Sequence, residues 1–122
     1  MNLSTGVDLV EIVRIREAID CHGERFVTRI FTKAEQQECR GRVESLAARF
    51  AAKEATAKAL GCGIGDVSWL DIEVIGDENH APHIFLHGAG EQVARKLGLS
   101  NWSVSLSHTQ NQAIAFVVAI GS

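Results

Sequence analysis

The sequence is short of several features that would classify it quickly. Its three cysteines, Cys21, Cys39 and Cys62, form no CxxC pair and cannot all pair within one chain. That argues against a zinc site or a disulfide framework and leaves free thiols in a reducing compartment. No apolar run approaches the roughly 20 residues that a membrane span needs. The opening MNLSTGVDLVEI has neither the basic start nor the small-residue cleavage site of a secretory signal. The expectation is a cytoplasmic protein with no membrane partner. A single proline, no Pro/Ser-rich tract and no internal repeat leave nothing to divide the 122 residues, which read as one domain, 1–122. Positive charge is scarce in one half. Residues 1–61 hold ten Lys/Arg against nine Asp/Glu, and residues 62–122 hold two against six, for a net charge of −3. That balance argues against a general nucleic-acid binder, so no nucleic-acid partner is expected. It allows a local basic surface in the first half that could meet an acidic partner.

What is present is an ordinary globular mixture, 46% hydrophobic and 22% charged. Val7 to Ile12 reads as a mostly apolar strand. Residues 13–31 read as one or two short helices broken near His22-Gly23. Thr32-Lys33-Ala34-Glu35 has capping-box spacing, so a helix is expected from Lys33. Ser45 is a candidate cap for a helix over about 46–60, with Gly61 ending it in the left-handed conformation. The period then changes. Leu70, Ile72 and Val74 alternate with Asp71 and Glu73, Gly76 to Pro82 is a turn, and Ile84 and Leu86 continue in a second strand. A short helix over Glu91–Leu97 stops at Gly98, the alternating WSVSLSH is a strand, and Ala113 to Ile120 reads as a central one. Helices first and hairpins after them predict an α+β fold, an antiparallel sheet packed against a long alanine-rich helix.

The stretch RFAAKEATAKALGCGIG, Arg49 to Gly65, is where chemistry is expected. Its alanines form a broad small-residue face suited to close packing, yet it carries Lys53, Glu54 and Lys58. Glu54 and Lys58 share a helix face. They read either as a surface ion pair of small worth or as working groups kept in a crowded place. Asp8, in the apolar GVDLVEI, must be paired, hydrogen-bonded or bound to a cation if it is buried, or else caps a turn at the strand end. One carboxylate on a strand and one on a helix, beside a lysine, suit Mg²⁺ with the remaining positions left to water and phosphate. The three glycines of GCGIG permit close backbone approach to a ligand at Gly61 and Gly63, though for Gly61 itself a helix cap and loop is the better reading. His108 ends its strand beside a turn, within reach of a phosphate or a ring. The remaining histidines carry no assignment.

In order along the chain, GVDLVEI, FTKAE, RFAAKEATAKALGCGIG and SLSHTQNQAIAFVVA resemble the holo-acyl-carrier-protein synthase family of short-type 4′-phosphopantetheinyl transferases, from Gly6 to about Ala119. The resemblance implies transfer of 4′-phosphopantetheine from coenzyme A to a serine of apo acyl carrier protein for fatty-acid synthesis, releasing adenosine 3′,5′-bisphosphate. It implies Asp8 and Glu54 as Mg²⁺ ligands, Lys58 on the phosphates, and Arg49 and His108 at the nucleotide. Arg14, Arg25 and Arg29 would dock the acidic carrier. It also implies a homotrimer with each site at a subunit boundary. The serine proton would pass to Glu54 or to a water held by Asp8 or Glu54. The sequence departs from the family at His80, where a glycine often precedes lysine-proline. The competing reading is a non-catalytic module that binds coenzyme A or a nucleotide.

Overall fold

A computed structural model describes residues 1–121. Strand β1 (Asn2–Glu11) leads into helix α1 (Ile12–His22), then α2 (Glu24–Ile30), α3 (Lys33–Cys39) and the long α4 (Val43–Ala59). After a loop and a 3₁₀ turn at Trp69–Asp71 come β2 (Ile72–Gly76), β3 (Pro82–Leu86), α5 (Gly88–Leu97), β4 (Asn101–His108) and β5 (Gln112–Gly121). The architecture is α+β with the named strands paired antiparallel, as expected. The strands divide, however, into a three-stranded sheet of order β1-β5-β4 and a separate hairpin, β2-β3.

Most boundaries follow the local signals. The Thr32 hydroxyl accepts from the Glu35 amide while the Glu35 carboxylate accepts from the Thr32 amide, a complete capping box that starts α3. Gly61, at φ +74, ends α4. Its amide donates to the Lys58 carbonyl, and the Cys62 amide reaches back to Ala57, a Schellman closure. Three expectations are corrected. Strand β1 begins at Asn2 because β5 offers it a ladder along its whole length, from Asn2↔Gly121 to Glu11↔Gln112. Helix α4 begins at Val43, capped by the Arg42 backbone and not by Ser45, because the left-handed pair Arg40 and Gly41 turns α3 directly into it. Leu70 lies in the 3₁₀ turn and not in a strand, since Ser68 and Asp71 cap each other there.

Helix α4 lies across β1 and β5. Ala47, Ala51, Ala52, Ala55 and Ala59 are buried in that contact, facing Ala113, Ala115 and Val117 of β5. Small side chains let the layers approach, and Gly6 carries this to its limit. A Cβ on Gly6 would stand 1.8 Å from the Ala55 carbonyl oxygen, so only glycine fits. The glycine of GVDLVEI is thus a packing requirement that fixes α4 over the strand carrying Asp8. The other face of the sheet is apolar and uncovered in the chain. Val7, Leu9, Ile114, Phe116 and Ile120 are exposed there, with Phe116 at 46%.

Candidate active site

Strand β1 is an edge, and Asp8 sits in its middle, opposite Ala115 of β5, with its side chain on the side covered by α4. Lys58, the penultimate residue of α4, crosses to this edge. Its Nζ donates to the Val7 carbonyl at 2.9 Å and to Asp8 Oδ1 at 3.1 Å. An ammonium has three protons, so one remains for a ligand. Glu54 lies one helical turn before Lys58 and is half-buried. Burial raises the Glu54 carboxyl above the ordinary range, the negative charge of Asp8 raises it further, and Lys58 opposes both. The two carboxylates therefore sense each other. Two mutually repelling oxygen donors at a partly exposed sheet edge are a fitting donor set for a hard divalent cation. Among the described residues no cluster of three or more His, Cys, Asp and Glu exists that could hold a metal. Any Mg²⁺ held here would thus take its other ligands from water or a phosphate-bearing substrate. Gly61 and Gly63 border this end of α4, and neither has an atom within 4 Å of where a side chain would begin.

The sequence-predicted residues do not all meet. Arg49 faces the opposite flank of α4, where it pairs with Glu38 at 2.5 Å and donates to the Val74 carbonyl at 3.1 Å. It joins two clefts that share Arg49, Gly76 and His80. One, of about 710 Å³, is also lined by Arg40 and Arg42. The other runs along Val104, Ser105 and Leu106 of β4. His108 lies two residues further on that strand, exposed, with Nδ1 3.2 Å from the Thr109 carbonyl. It is two rows and two strands from Asp8, roughly 12 Å by sheet spacings. The candidates therefore fall into two half-sites on opposite edges of one sheet. Asp8, Glu54 and Lys58 are on the β1 edge, and Arg49 and His108 are toward the β4 edge. Arg14 on α1 and Arg25 and Arg29 on α2 are exposed, the last two sharing a face.

Sequence reasoning missed a fully buried ion pair. Lys53 Nζ lies 2.8 Å from Glu35 Oε1, and neither side chain has exposed surface. Lys53 also donates to the carbonyls of Trp69 and Ile72, at 3.0 and 2.5 Å, and Glu35 Oε2 accepts from the Val74 amide at 2.8 Å. Burial pushes the Lys53 ammonium below its ordinary pKa range, against the pull of Glu35. Lys53 is therefore the pin that joins α3, α4 and β2, and not a site residue. The four-residue spacing from Arg49, on the same helix face, was the available signal.

The model of the 4′-phosphopantetheinyl transferase superfamily matches residues 4–117. The chain belongs to that family. Among curated members it is 52% identical to the holo-[acyl-carrier-protein] synthase of Herpetosiphon aurantiacus, over 98% of this chain and 99% of that protein. It is 44% identical to the synthase of Desulforudis audaxviator, over 99% and 95%. The crystal structure of Helicobacter pylori holo-[acyl-carrier-protein] synthase in complex with coenzyme A superposes with a TM-score of 0.88 at 34% identity, covering 95% of this chain and 99% of that one. In this phosphopantetheinyl transferase Lys58 pairs with Asp8 and stands one helical turn from Glu54.

Proposed function

We propose that this chain transfers 4′-phosphopantetheine from coenzyme A to a serine of apo acyl carrier protein, with Mg²⁺ bound by Asp8 and Glu54. The observation that carries the reading is the convergence of Asp8, Glu54 and Lys58 at the β1 edge, in a chain that matches the family along nearly all its length. Lys58 is held by Val7 and Asp8 so that its spare proton and its charge face the space a diphosphate would fill. There it stabilises the negative charge that grows on the transferred and leaving phosphates. Mg²⁺, when bound, supplies further positive charge to the same oxygens. The serine hydroxyl attacks the β-phosphate, the bond to the α-phosphate oxygen breaks, and adenosine 3′,5′-bisphosphate leaves. The serine proton passes to Glu54 or to a water that the two carboxylates orient.

The proposed assembly is a homotrimer working in the cytoplasm. Two observations support association between copies. The half-sites lie on opposite edges of one sheet, so a head-to-tail ring would set the β1 edge of one copy beside the β4 edge of the next. The apolar sheet face around Phe116 gives such a ring something to bury. Arg49 and His108 would then hold the nucleotide end of a coenzyme A whose diphosphate lies on the neighbour's Lys58. Arg14, Arg25 and Arg29 would meet the acidic carrier.

The test is the intact mass of an apo acyl carrier protein after incubation with this protein, coenzyme A and Mg²⁺. The expected result is a gain of one phosphopantetheine that a chelator abolishes. Coenzyme A binding without transfer to any of a panel of carriers would instead support a binding module. The boundary site has its own test. Glu54→Gln and Arg49→Ala chains, each inactive alone, recover part of the activity when refolded together. No recovery in a mixed trimer would count against shared sites.

A further inference from the structure

The face of β1 that α4 covers carries Ser4, Gly6, Asp8 and Val10, alternating with exposed residues. The first three meet α4 at separate points. Gly6 lies against the Ala55 carbonyl, Asp8 pairs with Lys58, and the Ser4 hydroxyl donates to the Ala59 carbonyl at 2.5 Å. The Gly6 contact is packing, and the Asp8 contact belongs to the site. The Ser4 contact, across 55 residues of chain, is explained by neither.

Ala59 is the last residue of α4, and the last carbonyls of a helix have no partner within it. The closing turn provides for the others. Thr56 accepts from the Leu60 amide, Lys58 from Gly61 and Ala57 from Cys62. Among the described residues no backbone amide donates to the Ala59 carbonyl, and the Ser4 hydroxyl takes that place. The hydrogen bond ties the final turn of α4 to the strand that carries Asp8. Lys58 is in that turn. Its side chain holds Nζ at 2.9 Å from the Val7 carbonyl and 3.1 Å from Asp8 Oδ1 while more than half exposed. A long exposed lysine gives up much rotamer freedom to keep one pose, so the pose depends on a backbone that does not shift. Glu54 is a turn earlier, next to Ala55, where the Gly6 contact holds the helix independently of Ser4.

We propose that Ser4 is a positioning residue for the transfer: its hydroxyl fixes the last turn of α4 so that the Lys58 ammonium stays on the strand edge, aimed at the diphosphate. The inference rests on the transferase reading above and adds a residue to it. Ser4 acts through Lys58 and touches no substrate. Its surroundings separate this role from a purely structural one. Ser4, Ala59 and Gly61 border a cleft of about 480 Å³, so in Ser4→Ala a water can take the hydroxyl's place on the Ala59 carbonyl. The carbonyl stays satisfied, and the tether between strand and helix is lost.

The test is a double-mutant cycle between Ser4→Ala and Lys58→Met, read by coenzyme A affinity in calorimetry with Mg²⁺ present and by steady-state transfer. In the wild-type background Ser4→Ala should weaken coenzyme A binding about threefold and lower kcat about tenfold, as for a charged group displaced but not removed. The carrier KM should not move, and the thermal midpoint should stay within about 4 °C of the wild type. In the Lys58→Met background Ser4→Ala should change neither affinity nor kcat further, because the group that it places is gone. Ser4→Thr keeps the hydroxyl, has the cleft for its extra methyl, and should restore both values. Losses that persist undiminished beside Lys58→Met, or that Ser4→Thr does not restore, overturn the proposal. So does a Ser4→Ala chain with wild-type kcat and coenzyme A affinity. Should the wild type bind coenzyme A and transfer nothing, the transferase reading fails separately. The calorimetric cycle then decides on Ser4: non-additive losses support the role, and additive ones refute it.

Discussion

Lys53 and Lys58 stand on one helix, yet the side chain of Lys53 has no exposed surface while that of Lys58 is 54% exposed. Each pairs with a carboxylate at short range, Glu35 at 2.8 Å and Asp8 at 3.1 Å. The difference lies in what surrounds the pair. Around Lys53, backbone carbonyls and amides use up the remaining hydrogen-bonding capacity, and among the described residues no buried side-chain polar atom lacks a partner. Around Lys58 and Glu54, capacity is left over, and burial, with the neighbouring charge of Asp8, raises the Glu54 carboxyl. A satisfied buried pair is architecture, and an unsatisfied half-exposed one is a site waiting for charge.

The contrast breaks hardest at Lys53. Lys53→Met leaves Glu35 buried without its partner and should cost about 3–5 kcal/mol in urea unfolding. Adding Glu35→Leu should restore only part of that loss, because the buried charge leaves but the Thr32 and Val74 amides lose their acceptor. The pH dependence has a defined sign. Burial lowers the folded pKa of Lys53, so the unfolded chain binds more protons between that value and the ordinary lysine range. Wild-type stability relative to Lys53→Met therefore rises with pH through that window. A pH-independent difference would show that Lys53 is not held against its desolvation. Lys58→Met should do the reverse in kind, changing stability by no more than about 1 kcal/mol while transfer collapses.

Glu54→Gln sharpens the other side. It keeps shape and removes one ligand charge, so Mg²⁺-dependent transfer should fall by about two to three orders of magnitude. A readout without turnover accompanies it. Mg²⁺ should raise the thermal midpoint of the wild type and not that of the variant, by linkage to the folded state. Equal Mg²⁺ responses would remove Glu54 from the metal site. Phe116→Glu comes next. It sets a charge on the uncovered sheet face, where it should convert the assembly to monomers in sedimentation while leaving the circular dichroism intact. Activity should fall with the assembly if the proposed ring joins the two half-sites across copies.

The reach of the sequence can be judged at these same residues. Element order, the Thr32 capping box and the Gly61 stop were legible because each depends on neighbours in the chain. Asp8, Glu54 and Lys58 stood out as candidates because charge is conspicuous in an apolar setting, but spacing alone joined them weakly, and the family resemblance is what grouped them. Lys53 was not, because its partner Glu35 already had a local explanation as a capping residue, and its second use is tertiary. The division into sheet and hairpin was hidden for a related reason. Strand β3 lies against β4 without joining its ladder, and alternation in sequence reports a strand but not its neighbour. The positive φ of Arg40 left no mark in composition, and at His80 only the departure from a family glycine hinted at it.

The smallest expected effect lies farthest from both lysines. Arg14, Arg25 and Arg29 are exposed on α1 and α2, so each would contribute to meeting an acidic carrier through screened, long-range attraction more than through a fixed contact. Arg14→Ala should raise the KM for carrier a few-fold, leave the KM for coenzyme A alone, and flatten the dependence of kcat/KM on ionic strength. The salt dependence is the stricter readout, since a structural effect of the substitution would persist at high salt and a steering effect would fade as the Debye length falls below about 8 Å. A carrier KM that stays put at low salt would remove Arg14 from the docking surface and leave Arg25 and Arg29, which share a face one helix further on, as the remaining basic pair to test.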